Sequence, residues 1–125
     1  MTGRIPKHTG WQRIVRATLY SLQGLKAAWQ NEAAFRQELL LVVLLTPLAL
    51  QIGHNATQKI LLLASLFIVL ITELLNSAIE ATVDRGGTEF HPLAGQAKDI
   101  GSAAVFISLL LVVVTWSLVI WENWQ

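Results

Sequence analysis

The stretch LITELLNSAIEATVDR, residues Leu70–Arg85, decides the fold because it places a glutamate within the most apolar third of the chain. An ionisable side chain at membrane depth costs about 2.5–3.5 kcal/mol, so it normally faces protein or a water-filled cleft and carries function. In a helix of about 100° per residue, the polar residues of this stretch share one face at roughly 0°, 300°, 340° and 20°: Glu73, Asn76, Glu80 and Asp84. This polar stripe is the first candidate for an active site.

The composition indicates a membrane protein. Hydrophobic residues make up 54%, charged residues 14%, and the mean hydropathy is +0.53; soluble domains have about 45–50% apolar and about 25% charged residues. A single domain of 125 residues has room for about three spans of ~20 residues. So short a chain encloses little interior, and we expect oligomerisation. The absence of cysteine excludes disulfides and thiol nucleophiles. The net charge of +1 says little by itself, and no nucleic-acid partner is expected.

The pattern predicts an all-α membrane protein with one amphipathic helix followed by three spans. The amphipathic helix covers about residues 10–30, is basic and tryptophan-bearing, and is predicted to lie in the headgroup region, although packing against the other helices is an alternative. The spans are predicted at about 33–52, 58–85 and 97–121. At ~1.5 Å per residue the second exceeds the ~30 Å hydrocarbon core, so its end from Glu80 onward is expected to reach water.

The basic residues predict the orientation. Only Lys59 lies on the first loop, whereas eight others lie on the N-terminal side or on the second loop, and the side rich in Lys and Arg faces the cytoplasm. The N-terminus and the candidate site are therefore predicted to face the cytoplasm. The eight residues are Arg4, Lys7, Arg13, Arg16, Lys26, Arg36, Arg85 and Lys98.

The candidate chemical groups all fall at this one membrane face. Carboxylates without cysteine favour a hard cation such as Mg²⁺, for which Glu32 and Glu80 are suited. Lys98 and Arg13 are suited to nucleotide phosphates, and Glu73 to general-base catalysis on a hydroxyl held at the membrane surface. The chain has no Walker A motif or protein-kinase signature. If it transfers a phosphoryl group, positioning and charge neutralisation supply most of the catalysis.

Three sequence blocks carry a resemblance to a known family. NEAAFRQE at Asn31–Glu38, ELLNSAIEATVD at Glu73–Asp84 and AKDIGSAAV at Ala97–Val105 strongly resemble the small bacterial integral-membrane diacylglycerol kinases. The resemblance extends from about Trp11 to Trp121. It implies a homotrimer in the bacterial cytoplasmic membrane with active sites shared between subunits. It also implies transfer of the γ-phosphate of MgATP to the primary hydroxyl of diacylglycerol, giving phosphatidic acid and ADP.

The resemblance also implies roles for individual residues. Glu73 matches the general base, and Glu32 and Glu80 match the metal-binding carboxylates. Phe90 departs from the family, where an aromatic hydroxyl is common, so any hydroxyl role there is in doubt. The implied ATP-binding residues are Arg13, Tyr20, Glu32, Glu80, Glu89, Phe90, His91, Lys98 and Asp99. The implied lipid-binding residues are Glu73, Asn76, Ser102, Arg36, Gln37 and Lys59.

Other interpretations are open. Glu73 can be a structural residue hydrogen-bonded to Asn76, and Glu32 and Glu80 can be ordinary interfacial charges. A related membrane kinase phosphorylates undecaprenol with the same ATP-handling residues. A small proton-coupled transporter subunit can also carry one essential intramembrane glutamate, although carboxylates clustered at a single face argue against a transporter, which needs access from both.

Overall fold

The computed structural model describes residues 9–87 and 91–125, and four α-helices account for most of this part of the chain. They are α1 (Trp11–Asn31), α2 (Ala33–Ile52), α3 (Ala56–Asp84) and α4 (Pro92–Trp124). α2, α3 and α4 are long and apolar enough to cross a membrane. The predicted all-helical fold with three spans is therefore confirmed. The headgroup placement of α1 and the homotrimer stay predictions.

A single residue joins α1 to α2. Glu32 has extended backbone angles (φ −119°, ψ 104°); its N–H closes α1 on the carbonyl of Ala28 at 2.9 Å, and its own carbonyl accepts from the N–H of Arg36 at 3.2 Å. The Arg36 guanidinium then donates to the Trp29 carbonyl at 2.6 Å, where the C-terminal end of a helix favours a cation. The corner between the two helices is thus fixed from both sides, and Glu32 lies at its apex.

The opposite end of the bundle is closed by side-chain amides. Asn55 caps α3 by accepting from the N–H of Gln58 at 2.9 Å. Asn123 of α4 donates to the carbonyl of Ile52 at 2.8 Å and to Gln58 Oε1 at 2.9 Å. We call this end, with the turn at residues 53–55, the turn end. The end with Glu32 and the α3–α4 connection is the loop end.

α3 is the central helix and packs against both α2 and α4. Its buried residues recur every three or four positions, as expected for the inward face of a helix between neighbours. Glu73 and Asn76 continue this face toward the loop end, so the polar stripe points into the bundle. The buried residues are Gln58, Leu62, Ser65, Leu66, Val69, Glu73 and Asn76.

The core is small and lies between the three long helices. Val42 and Ala49 of α2 pack with Leu62 and Leu66 of α3. Trp116 of α4 also joins this cluster and donates from its indole nitrogen to the hydroxyl of Ser65 at 3.2 Å. Many large apolar side chains remain on the outside of the helices. Such a surface is what a bilayer or neighbouring subunits cover.

α4 begins earlier than the sequence pattern predicts. The prediction set the start of the third span at about residue 97, whereas the helix starts at Pro92. Proline has no N–H to lose at the first helical position, and His91 Nδ1 caps the helix by accepting from the N–H of Leu93 at 3.1 Å. Residues 92–99 have few large apolar side chains, so the apolar pattern that marks the span does not reveal the first turns of the helix.

Candidate active site

The deepest feature of the candidate site is a pair of carboxyl groups. The side chain of Glu73 on α3 is only 4% exposed, and it lies within hydrogen-bonding reach of the Glu38 carboxyl on α2. Two carboxyls form such a bond only when one proton is held between them. The pair can therefore take up or release a proton at a depth that water does not reach freely. This is the chemistry that a general base for a lipid hydroxyl needs.

Asn76 lies one helical turn from Glu73 toward the loop end. It is 7% exposed, and its Nδ2 donates to Glu80 Oε1 at 3.3 Å. Its Oδ1 is buried without a hydrogen-bond partner in the described part of the chain. Gly101 of α4 faces this oxygen so closely that a Cβ at residue 101 would overlap it. Asn76 is thus held between Glu80 and the α4 backbone.

Glu32 and Glu80 form a second level, nearer the loop end. Glu32 precedes Glu38 by six residues and Glu80 follows Glu73 by seven. Because α2 and α3 run antiparallel, both steps lead about 9–10 Å toward the same end. Both carboxylates act electrostatically on Glu73. The site therefore has two levels of carboxyl groups: buried Glu73 with half-buried Glu38, and Glu32 with Glu80, both partly exposed.

The donor set fits a weakly held Mg²⁺. Within residues 9–87 and 91–125, no group of three or more His, Cys, Asp or Glu side chains is arranged to hold a metal ion. Mg²⁺ seldom needs such a cage, because it keeps several waters and takes one or two carboxylates together with substrate phosphates. Glu32 and Glu80 supply two carboxylates of this kind, both partly exposed.

A basic group stands beside this level. Lys98 of α4 forms an ion pair with Asp84, with Nζ and Oδ1 2.5 Å apart. Its ammonium is also within electrostatic reach of Glu80. Asp99 and Ser102 follow on α4 and are exposed. The structure thus pairs the predicted lysine with Asp84 of the polar stripe, one helical turn from the predicted metal-binding carboxylate Glu80.

A groove runs between α1 and α3. It has a volume of about 730 Å³ and is lined by Ser21, Asn31, Glu32 and Ser77, among mostly small and apolar residues. The Ser77 hydroxyl is buried without a partner among the described residues. The predicted nucleotide-binding residues Arg13 and Tyr20 lie on α1 and are exposed, and they do not line this groove.

Several predicted site residues lie apart from the carboxyl levels. Lys59 is at the turn end, 14 residues from Glu73 on α3, or about 21 Å along the helix, so one chain does not bring the two together. Arg36 is occupied by carbonyls at the end of α1, and Gln37 is exposed beside it. His91 caps α4. Glu89 and Phe90 lie outside the described residues.

The sequence assigns no specific role to Glu38 or Asp84. Asp84 belongs to the polar stripe, so its place on the same face of α3 was visible. Glu38 gave no signal in its own helix, because its importance comes from the antiparallel register of α2 against α3. Only the depth of Glu38, six residues beyond the corner at Glu32, pointed to a partner near Glu73.

The fold and the site define a small integral membrane protein of three spans whose carboxyl groups cluster at one end of the bundle. The sequence profile of prokaryotic diacylglycerol kinase matches residues 19–120. The chain is similar to diacylglycerol kinase of Escherichia coli (strain K12), 50% identical over 92% of this chain and 94% of the relative. It is also similar to diacylglycerol kinase of Pseudomonas aeruginosa, with 51% identity over 90% of this chain and 91% of the relative. With diacylglycerol kinase of Helicobacter pylori (strain ATCC 700392 / 26695) the chain shares 43% identity over 89% of its own length and 87% of the relative.

The chain therefore belongs to the prokaryotic diacylglycerol kinase family and is a kinase. The family resemblance and the enzyme class expected from the sequence are confirmed. The comparisons assign no role to individual residues, so the roles predicted for Glu73, Glu32, Glu80 and the nucleotide-contacting residues stay predictions.

Proposed function

We propose that this chain phosphorylates diacylglycerol at its primary hydroxyl, using MgATP and releasing phosphatidic acid and ADP. The carboxyl pair of buried Glu73 and half-buried Glu38, found in a chain of this family, is the observation that carries the proposal. A base at this depth is suited to an acceptor hydroxyl that stays in the membrane.

The proposed reaction has one covalent step. The oxygen of the lipid hydroxyl attacks the γ-phosphorus, the bond between that phosphorus and the β,γ-bridging oxygen breaks, and ADP leaves. The hydroxyl proton passes to the Glu73 carboxylate. For Glu73 to accept it, the proton shared by the pair must reside on Glu38 when the lipid arrives. Glu38 thus acts as a positioning residue that keeps its neighbour available as the base.

The nucleotide is proposed to bind at the level of Glu32 and Glu80. These two carboxylates would hold Mg²⁺, which when bound neutralises charge on the phosphates. Lys98 would add a cation there, and Asn76, whose amide donates to Glu80, would hold that carboxylate in place beside the lipid hydroxyl. Phosphoryl transfer depends mainly on such positioning and charge.

The site is proposed to be completed by neighbouring subunits of a homotrimer in the bacterial cytoplasmic membrane, with the loop end in the cytoplasm. Two observations support assembly. Large apolar side chains cover the outside of the three spans, and Arg13 and Tyr20 lie exposed on α1, away from the carboxyl levels of their own chain. In a trimer, Arg13 and Tyr20 would then contact the nucleotide bound to a neighbouring subunit.

An acceptor assay tests the proposal. Purified protein in mixed micelles receives MgATP labelled at the γ-phosphate, with diacylglycerol or undecaprenol as the acceptor. We expect labelled phosphatidic acid and little polyprenyl phosphate. Label in the polyprenol alone would move the chain to the undecaprenol kinase branch, and the absence of label in either lipid would refute the proposal.

A further inference from the structure

An ion pair connects the end of α3 with the first turns of α4. Lys98 Nζ and Asp84 Oδ1 lie 2.5 Å apart. Within residues 9–87 and 91–125 this is the one salt bridge that the structure contains. The two side chains are 41% and 63% exposed. Ion pairs so open to water add little to stability. What the pair does fix is the position of the Lys98 ammonium group.

Asp84 places that group beside the proposed metal site. It follows Glu80 by four residues on α3, so the two carboxylates lie one turn apart on the same face. Lys98 bonds to Asp84 and is also within electrostatic reach of Glu80. The lysine therefore extends back from α4 toward the carboxylates of α3.

An ammonium held in this way keeps donors for a second partner. It has three N–H groups, and one bond to Asp84 leaves two for phosphate oxygens. A lysine without a partner samples many rotamers on its flexible stem and loses that freedom when it binds a ligand. Fixing the stem beforehand lowers the entropic cost of binding.

We propose that Asp84 is a positioning residue for the nucleotide, holding the Lys98 ammonium beside Glu80 where it meets the phosphates of MgATP. The inference rests on the proposed function, because it takes Lys98 as a phosphate-binding group. Asp84 acts through Lys98 and touches neither metal nor nucleotide.

A double-mutant cycle tests this inference. Isothermal titration calorimetry in lipid-acceptor-free micelles measures the Kd of the Mg²⁺ complex of β,γ-methylene-ATP for the full chain, for Asp84→Asn, for Lys98→Met and for the double variant. We expect Asp84→Asn to weaken binding by about fivefold, the upper range for an exposed pair. In the Lys98→Met background the same change should leave the Kd unaltered. Asp84→Glu should restore part of the affinity.

Two further measurements separate positioning from a general structural effect. In the lipid kinase assay, Asp84→Asn should raise the KM for MgATP and leave the KM for diacylglycerol unchanged. Glu122→Gln removes an exposed carboxylate at the turn end and should change neither value.

The outcomes that overturn the inference are distinct. An unchanged or lower Kd in Asp84→Asn shows that Asp84 does not hold Lys98 for the nucleotide. A loss of affinity that persists in Lys98→Met shows that Asp84 acts directly, for example on the metal. Normal nucleotide binding without phosphatidic acid refutes the proposed function alone, whereas no nucleotide binding by the unaltered chain refutes both.

Discussion

Gly101→Ala tests how closely α4 approaches the candidate site. An ideal Cβ at residue 101 would overlap Asn76 Oδ1 and lie 3.3 Å from Asn76 Cγ and 3.7 Å from Ile79 Cδ1. Asn76 is only 7% exposed and its amide also bonds to Glu80, so either the amide leaves its rotamer or the helices separate. Overpacking of this kind costs about 1–3 kcal/mol, and an off-rotamer side chain about 0.5–1.5 kcal/mol.

Gly95→Ala is the matched control on the same helix. Apart from its chain neighbours and the adjacent backbone of α4, no described atom lies within 4 Å of a Cβ built at residue 95. The exchange of glycine for alanine in an open helical position is expected to stabilise the protein by up to about 1 kcal/mol. The two variants make the same chemical change, so any difference in their stability reports the contact with Asn76.

The assay is thermal unfolding in mixed micelles, followed by near-ultraviolet circular dichroism of the five tryptophans, together with lipid kinase activity. We expect Gly101→Ala to be about 1–3 kcal/mol less stable than the unaltered protein and to lose activity, because Asn76 also bonds to Glu80. Adding Asn76→Ala should relieve the overlap and recover part of the stability. A Gly101→Ala variant as stable and active as Gly95→Ala would refute the close approach of α4.

Two further substitutions separate chemistry from folding at the two ends of the bundle. Glu38→Leu removes the group that holds the proton beside Glu73 and leaves no donor in its place; we expect turnover to fall by up to about 10²–10⁴-fold, the range of general-base catalysis, while the KM for MgATP stays unchanged. Normal turnover of this variant in steady-state kinetics would contradict the carboxyl pair. Asn123→Ala removes the hydrogen bonds to Ile52 and Gln58 at the turn end. We expect the free energy of unfolding to fall by about 1 kcal/mol in thermal unfolding, with full activity per folded molecule. A proportionate loss of turnover would show that the turn end is coupled to the site.

The sequence was sufficient for the helices and for one face of the site. Apolar runs of membrane length predict three spans, and the 3.6-residue period puts Glu73, Asn76 and Glu80 on one side of α3 whatever surrounds them. The start of α4 was not predictable from apolar periodicity, because the helix begins at Pro92, after the His91 cap, in a segment without an apolar pattern.

Pairings between helices were beyond the sequence pattern. Glu38 meets Glu73 only because α2 and α3 run antiparallel in one particular register, and periodicity within either helix contains no information about that register. The sequence marks Lys98 as a nucleotide-binding candidate, but its bond to Asp84 depends on how α4 packs against α3. Lys59 shows the opposite case: helix length alone places it at the turn end, far from the site of its own chain.

Glu73→Gln tests the central claim most directly. The amide has nearly the same size and still bonds to Glu38, but it does not accept the hydroxyl proton. The measurement is the rate of phosphatidic acid formation from diacylglycerol and MgATP, alongside the oligomeric state and the Kd of the nucleotide analogue. We expect turnover to fall by about 10²–10⁴-fold or more, with assembly and nucleotide binding preserved. Full turnover in this variant would show that Glu73 is not the base.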